Sequence, residues 1–278
     1  MDLIDPKNSQ VILIGASQFD FGSEKPGSQN LSNVQTNIGD FRKLLIKVVD
    51  IDKDNVHLFL DKDNSNDITS EIIDIVPKAS NTIIVYYAGH GIVRQKLLYL
   101  ATKKTKFNKP QYSGAIETNY LVNLVIEETN AKNIIFIIDC CFSARAKEGI
   151  ISKDKNVFFI TASTSTKTAK DESPVDKNYT AFSHELLVIL EHGIDGYGEF
   201  LTVQDISNRL INQLKEQNLP VPQLSSHGQP DELRICKNNS YPNFTVSPVS
   251  EIQSVNQSNQ DWGNAPDVPV FFGRTEEL

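Results

Sequence analysis

Long apolar runs are missing from this 278-residue chain. None approaches the roughly 18 residues a membrane-spanning helix needs, so no transmembrane helix and no membrane partner are expected. Cysteine is scarce: there are three, and two of them, Cys140 and Cys141, are neighbours. Adjacent cysteines rarely bridge and Cys236 is remote, which excludes a disulfide framework and predicts a reducing, cytoplasmic setting. Positive charge is also short, with 27 Lys and Arg against 35 Asp and Glu, a net charge of −8. A surface of that sign argues against nucleic acid as a partner, because phosphate binding needs a basic face. The opening residues, MDLIDPKNSQ, lack the basic-then-apolar character of a signal peptide. The five histidines show no metal-ligand spacing, and Asp195–Glu199 lacks the alternating acids of a calcium loop. GASQFDFG, after the first apolar run, has neither the spacing nor the Lys-Ser/Thr of a phosphate loop.

What is present is an ordinary globular composition, 39% hydrophobic and 22% charged. Short β-branched runs predict buried strands at Gln10–Ser17, Asn55–Asp61, Asn81–Gly91, Asn133–Asp139 and Asn156–Ser163. A shorter strand is predicted at Lys96–Thr102, and an edge strand at Glu232–Cys236. Between them, apolar residues recur at spacings of three and four. Leu31, Val34, Ile38, Phe41, Leu45 and Val48 predict one amphipathic helix. Further helices are predicted at Ile68–Ile75, Glu117–Thr129, around Phe182–Leu190 and around Val203–Leu214. Strands alternating with helices point to one α/β domain with a mostly parallel sheet over residues 1–238. From residue 239 to 269 the chain is rich in Ser, Asn, Gln and Pro without a period, which reads as a flexible linker.

Two predicted strands end in reactive groups, His90 after NTIIVYYAG and Cys141 after NIIFIID. Open α/β sheets place their working groups at the carboxyl ends of strands. A thiol beside an imidazole can become a thiolate, and the imidazolium can protonate a leaving amine. Gly89 and Gly91 flank the histidine and let the backbone turn sharply, and the N–H groups of Gly91 and Cys141 are candidate oxyanion donors. Taken alone, the same residues also fit a buried structural cysteine and an ordinary tight turn.

YYAGHG (Tyr86–Gly91) and DCCFSA (Asp139–Ala144) lie 51 positions apart, counted from His90 to Cys141. Together they resemble the two signatures of the caspase-like cysteine peptidases. The acid two places before the thiol resembles the metacaspase and bacterial caspase-like branch. This resemblance implies a caspase-like α/β sandwich, a mostly parallel six-stranded sheet flanked by helices. It implies Cys141 as nucleophile and His90 as general acid and base, with Cys140 in a variable, packing position. Asp139 matches an acid that lines the S1 pocket and Asp40 a second one, so the implied substrate is a protein or peptide with Arg or Lys at P1. Phe142 and Ala144 stand where metacaspases usually carry His and Gly. The acidic cluster that binds calcium in many metacaspases is not matched, so no metal and no cofactor are expected. Arg145, Lys147, Lys153 and Lys155 follow the nucleophile where relatives can be cleaved, and are candidate autocleavage positions.

The last residues, VFFGRTEEL (Val270–Leu278), resemble the entry to the nucleotide-binding module of NLR-like (STAND) signalling ATPases. Residues 270–278 are thus read as the start of such a module, and the partners include sensor modules C-terminal to it. The expected activity is that of a cysteine endopeptidase acting as the effector of a bacterial defence or cell-death type sensor. The alternative is a catalytically inactive homologue serving as an oligomerisation or recruitment module, and a nucleotide-binding α/β regulator is disfavoured by the missing phosphate loop.

Overall fold

A computed structural model describes residues 2–20, 30–106, 113–147, 154–163 and 172–241. In chain order the elements are β1 (Asp2–Leu3), β2 (Gln10–Gly15), α1 (Ser32–Val48), β3 (Val56–Leu60), α2 (Ser65–Ile75) and β4 (Thr82–Ala88). They continue with β5 (Gly91–Arg94), β6 (Leu97–Leu100), β7 (Ile116–Glu117), α3 (Thr118–Glu128), β8 (Asn133–Asp139) and β9 (Asn156–Thr161). The last are α4 (Ala181–His192), β10 (Phe200–Thr202), α5 (Val203–Glu216), β11 (Gln223–His227) and β12 (Leu233–Lys237).

The central sheet has six strands in the order β11-β9-β8-β4-β2-β3. All neighbours pair in parallel except β11, which runs antiparallel to β9. Every residue of β2, β4 and β8 is buried, which is why these strands read as unbroken apolar runs. Side chains alternate between two cores. Leu13, Ile84, Tyr86 and Ile137 pack under Ile38 of α1, Leu186 of α4 and Leu210 of α5. Ile14, Val85, Tyr87 and Ile138 pack under Ile72 of α2 and Val125 of α3 on the other face. Each such residue, fully removed from water, contributes about 1.5–3 kcal/mol toward holding helices to sheet.

Several helix starts are set by side-chain caps. Asn64 accepts from the N–H groups of Asn66 and Asp67, so α2 begins three residues before the apolar stripe at Ile68. Thr202 and Asp205 form a reciprocal capping box at α5, and Thr180 caps α4.

Three strand expectations need correction. The edge of the main sheet beside β9 is Gln223–His227, whose polar sequence QLSSH carries no apolar alternation and for which no strand is predicted above. The segment ELRIC forms β12, which joins β1 and β10 in a separate three-stranded sheet instead of extending the main one. Gly91–Arg94 is a strand of its own, folding back on β6 as an antiparallel hairpin. Beyond β12, Asn239 donates to the Glu191 carbonyl (2.7 Å) and Ser240 to the His192 carbonyl (2.8 Å), tying the chain to the end of α4. Residues 242–269 of the region read as a linker, and all of residues 270–278, lie outside the described residues.

Candidate active site

The two central strands β4 and β8 pair in register, Ala88 opposite Asp139. Strands so paired lie about 4.8 Å apart, so the turn carrying His90 and the turn carrying Cys141 leave neighbouring strands at the same end of the sheet. The register is carried past the strand ends by Gly89, whose N–H donates to the Asp139 carbonyl at 3.3 Å. Beyond it Gly91 lies directly against the Cys140–Cys141 main chain. A Cβ at position 91 would overlap the Cys141 carbonyl oxygen and stand 2.7 Å from Cys140 Sγ. Only glycine permits that approach.

The histidine turn is built on a buried phenol. Tyr87 Oη shares its one proton between the carbonyls of His90 (2.9 Å) and Ala101 (3.0 Å), and the Ala101 N–H donates to the same His90 carbonyl (3.0 Å). A Cβ at Gly89 would sit 2.5 Å from Tyr87 Oη, and its φ of +158° is uncommon for residues with a side chain. The glycine before the histidine is therefore required by the tyrosine beneath it. The imidazole of His90 is buried, 9% exposed, and Phe19 packs on it with centroids 4.8 Å apart and planes tilted by 41°.

On the thiol side, Cys140 is 2% exposed inside the α2/α3 core, and burial pushes its thiol well above the ordinary value, with Cys141 and Asp139 adding to the effect. It is a packed apolar group, as read from the sequence. Cys141 is half-buried and unbridged. Directly after it, Phe142 adopts φ 59°, a left-handed conformation that costs a residue with a Cβ on the order of 1–2 kcal/mol. The turn is held by Ser163, two residues past the end of β9. Ser163 Oγ donates to the Cys140 carbonyl (3.1 Å), Ser163 N–H donates to Ser143 Oγ (2.9 Å), and Ala144 N–H donates to the Ser163 carbonyl (3.2 Å). These bonds fix the backbone on both sides of Cys141.

Asp139 is 3% exposed. Its Oδ2 accepts from Thr180 Oγ1 at 2.5 Å and Ser183 Oγ at 2.6 Å, both at the N-terminus of α4. Asp40, on α1, is partly exposed and accepts from Lys43 Nζ and Tyr179 Oη, each at 2.7 Å. The Lys43 bond and then the Tyr179 bond hold its carboxyl below the usual range, against a desolvation cost, and the Tyr179 phenol is pushed up to about 12. Consecutive residues Tyr179 and Thr180 thus attach to the two acids that the sequence singled out. Asn37, three positions before Asp40, also bonds Thr180, donating from Nδ2 to Oγ1 at 2.9 Å.

The basic residues after the thiol are placed differently from one another. Arg145 and Lys147 lie in a 3-10 turn, Ser143–Lys147, where an Arg145 guanidinium N–H reaches the Lys96 carbonyl at 3.5 Å. Lys155 Nζ donates to the carbonyls of Ile126 (2.5 Å) and Thr129 (2.6 Å), closing the C-terminus of α3. Lys153 lies outside the described residues. Among the described residues no group of three or more His, Cys, Asp or Glu is arranged to hold a metal ion, and no helix is long and apolar enough to cross a membrane. Sequence reasoning missed Tyr87, Phe19, Thr180, Ser183 and Asn37. The one usable signal was the pair of tyrosines before the Gly-His-Gly turn, which on adjacent strand positions must face opposite cores.

The chain resembles solved caspase structures in fold. Against caspase-1 from Spodoptera frugiperda the TM-score is 0.56 at 13% identity, covering 79% of this chain and 86% of that one. A structural-genomics protein from Geobacter sulfurreducens gives 0.56 at 12% identity, covering 82% and 96%. A search of curated proteins by sequence finds no match. The family model described as "Caspase domain" matches residues 9–234, which span both the His90 and the Cys141 turns, and the chain belongs to that family of cysteine peptidases.

Proposed function

We propose that this protein is a cysteine endopeptidase that cuts after Arg or Lys, with Cys141 as nucleophile and His90 as general acid and base. The observation that supports it best is the register of β4 against β8, with the packing of Gly91 on the cysteine main chain. In the reaction His90 takes the thiol proton and the thiolate attacks the scissile carbonyl carbon. The N–H groups of Gly91 and Cys141 stabilise the oxyanion. The imidazolium then protonates the leaving amine. A water deprotonated by His90 attacks the thioester, releasing the carboxylic acid product and the restored thiol. No cofactor or metal takes part.

The carboxylates of Asp139 and Asp40 give the P1 pocket its basic preference. A buried carboxylate favours a cationic side chain, and a guanidinium adds bidentate hydrogen bonding. Residues 1–238 are the catalytic domain, residues 239–269 the linker, and residues 270–278 the entry to a nucleotide-binding sensor, so this peptidase is the effector of a larger cytoplasmic signalling protein. Autocleavage after Arg145, Lys147 or Lys153 fits that role better than cleavage after Lys155, whose ammonium caps α3. An inactive recruitment module would have no use for both a thiol and an imidazole, and both are retained. A thiol-reactive peptide ketone with P1 Arg tests the reading. It should alkylate Cys141 faster than the same reagent with P1 Asp, as read by mass spectrometry of the peptide carrying Cys141. Preference for the Asp reagent would overturn the pocket, and no labelling by either would overturn the peptidase.

A further inference from the structure

The hydrogen bonds at Asp139 Oδ2 admit only one arrangement of protons, and that arrangement starts from main-chain donors whose direction is fixed. The Thr180 N–H donates to Asn37 Oδ1 at 3.3 Å, which orients the Asn37 amide and makes Nδ2 the donor to Thr180 Oγ1 at 2.9 Å. The Ser183 N–H donates to the same Thr180 Oγ1 at 3.3 Å. Both acceptor positions of that hydroxyl are then filled, so its single proton can only go to Asp139 Oδ2, 2.5 Å away. Ser183 Oγ also gives its proton to Asp139 Oδ2, at 2.6 Å. Having donated, the Ser183 oxygen is an acceptor toward Tyr86 Oη at 2.5 Å, so the phenol is the donor there.

We infer that Tyr86, Ser183, Thr180 and Asn37 form a one-directional relay that holds Asp139 as a carboxylate anion. These are positioning residues: they act through Asp139 and fix the charge it presents to a basic P1 side chain. Were Oδ2 protonated, the Thr180 hydroxyl would lose its acceptor. The Ser183–Tyr86 chain would have to reverse and leave the Tyr86 proton in an apolar core beside Phe41, whose ring centroid is 4.8 Å away. Oδ2 is therefore an acceptor only, and the two bonds it receives are stronger to a carboxylate than to an acid protonated on Oδ1, which favours the anion. The placement agrees with other features. Asp139 sits at the N-terminus of α4, where the helix dipole favours an anion. Burial pushes the Tyr86 phenol well above its ordinary range and the charge of Asp139 pushes it the same way, so Tyr86 keeps its proton to donate.

Among the described residues, titratable groups around Asp139 include Tyr87 on β4 and Cys140 and Cys141 just after its own strand. On α1 stands the Asp40–Lys43 pair, and on α4 His184 and Glu185 follow Ser183. Tyr87 and Cys140 stay neutral because burial and the neighbouring negative charge both raise them, so they do not compete with Asp139 for ionisation.

The inference rests on the pocket assigned above, but its test does not need peptidase activity. The full chain is labelled with carboxyl-13C aspartate, and the Asp139 resonance is assigned by its loss in Asp139→Asn. The parent should show an ionised Asp139 at pH 7. Thr180→Val and Ser183→Ala should each move its titration midpoint upward by about one to two pH units, as the loss of one hydrogen bond to a charged group implies. Tyr86→Phe, acting through Ser183, should move it less, and Thr180→Ser, which keeps the hydroxyl, should restore the parent midpoint. A protonated Asp139 at pH 7 in the parent, or an unmoved midpoint in Ser183→Ala and Tyr86→Phe, overturns the relay. In kinetics, the acid limb of kcat/KM for P1 Arg should move up in the same variants. An unmoved midpoint with intact Arg cleavage would sink the relay and leave the peptidase standing; a moved midpoint without cleavage would do the reverse.

Discussion

Replacing Gly91 by alanine puts a methyl group into the one place where the histidine turn touches the cysteine turn. The methyl would overlap the Cys141 carbonyl oxygen, stand 2.7 Å from Cys140 Sγ and 3.2 Å from Cys140 Cβ. None of these can yield easily. Cys140 is 2% exposed, and its carbonyl is held by Ser163 Oγ at 3.1 Å. The strain is relieved by moving the His90–Gly91 segment away from the thiol. Overpacking of this kind costs about 1–3 kcal/mol, which lowers Tm by roughly 2–12 °C in a domain of this size. The larger effect is on rate, since a displacement of about 1 Å between catalytic groups can cost on the order of 100-fold. The assay is kcat/KM on a P1-Arg fluorogenic peptide beside a thermal melt, with Gly198→Ala as control because a Cβ there meets nothing within 4 Å. Gly91→Ala at parent kcat/KM would refute the contact between the two turns as the basis of the site.

Three further outcomes follow from named contacts. Tyr87→Phe removes the donor to the His90 and Ala101 carbonyls, so it should cost about 1–3 kcal/mol in urea unfolding and lower kcat more than it raises KM; an unchanged kcat would contradict the support assigned to that phenol. Gly39 lies within α1 with open space where a Cβ would be, so Gly39→Ala should raise stability by about 0.5–1 kcal/mol in the same assay, and a loss would show that the helix surface there is occupied. Because bonds from Lys43 and Tyr179 depress the Asp40 carboxyl, its contribution is full above the unfolded aspartate value of about 3.9 and is lost as pH falls through the lower folded value. Asp40→Asn should therefore flatten the fall in stability as pH drops from about 5 toward 3, and an unaltered slope would remove Asp40 from that account.

The central strands were legible because burial on both faces leaves a mark that needs no partner to interpret: IIFII (residues 134–138) and IIVYYA (residues 83–88) carry no polar alternation. His90 and Cys141 stood out for the same reason, as polar groups at the ends of such runs. The edge strand Gln223–His227 carried no such mark, since it gains its place from pairing with β9 and not from its own period. Thr180 and Ser183 could not be read as partners of Asp139, because 41 and 44 residues separate them and hydroxyls at a helix start look like ordinary caps. Thr180 is in fact a cap as well: the same oxygen closes α4 and donates to the acid. Phe19 on His90 was hidden similarly, since an aromatic in a polar loop gives no sign of what it covers.

The most direct test of the central claim is a fluorogenic peptide panel scanning P1, run on the parent chain and on Cys141→Ala. The account predicts cleavage after Arg and Lys by the parent, little after Asp, and none by Cys141→Ala despite an unchanged fold by circular dichroism. Equal cleavage by Cys141→Ala, or a parent that prefers P1 Asp, would contradict it.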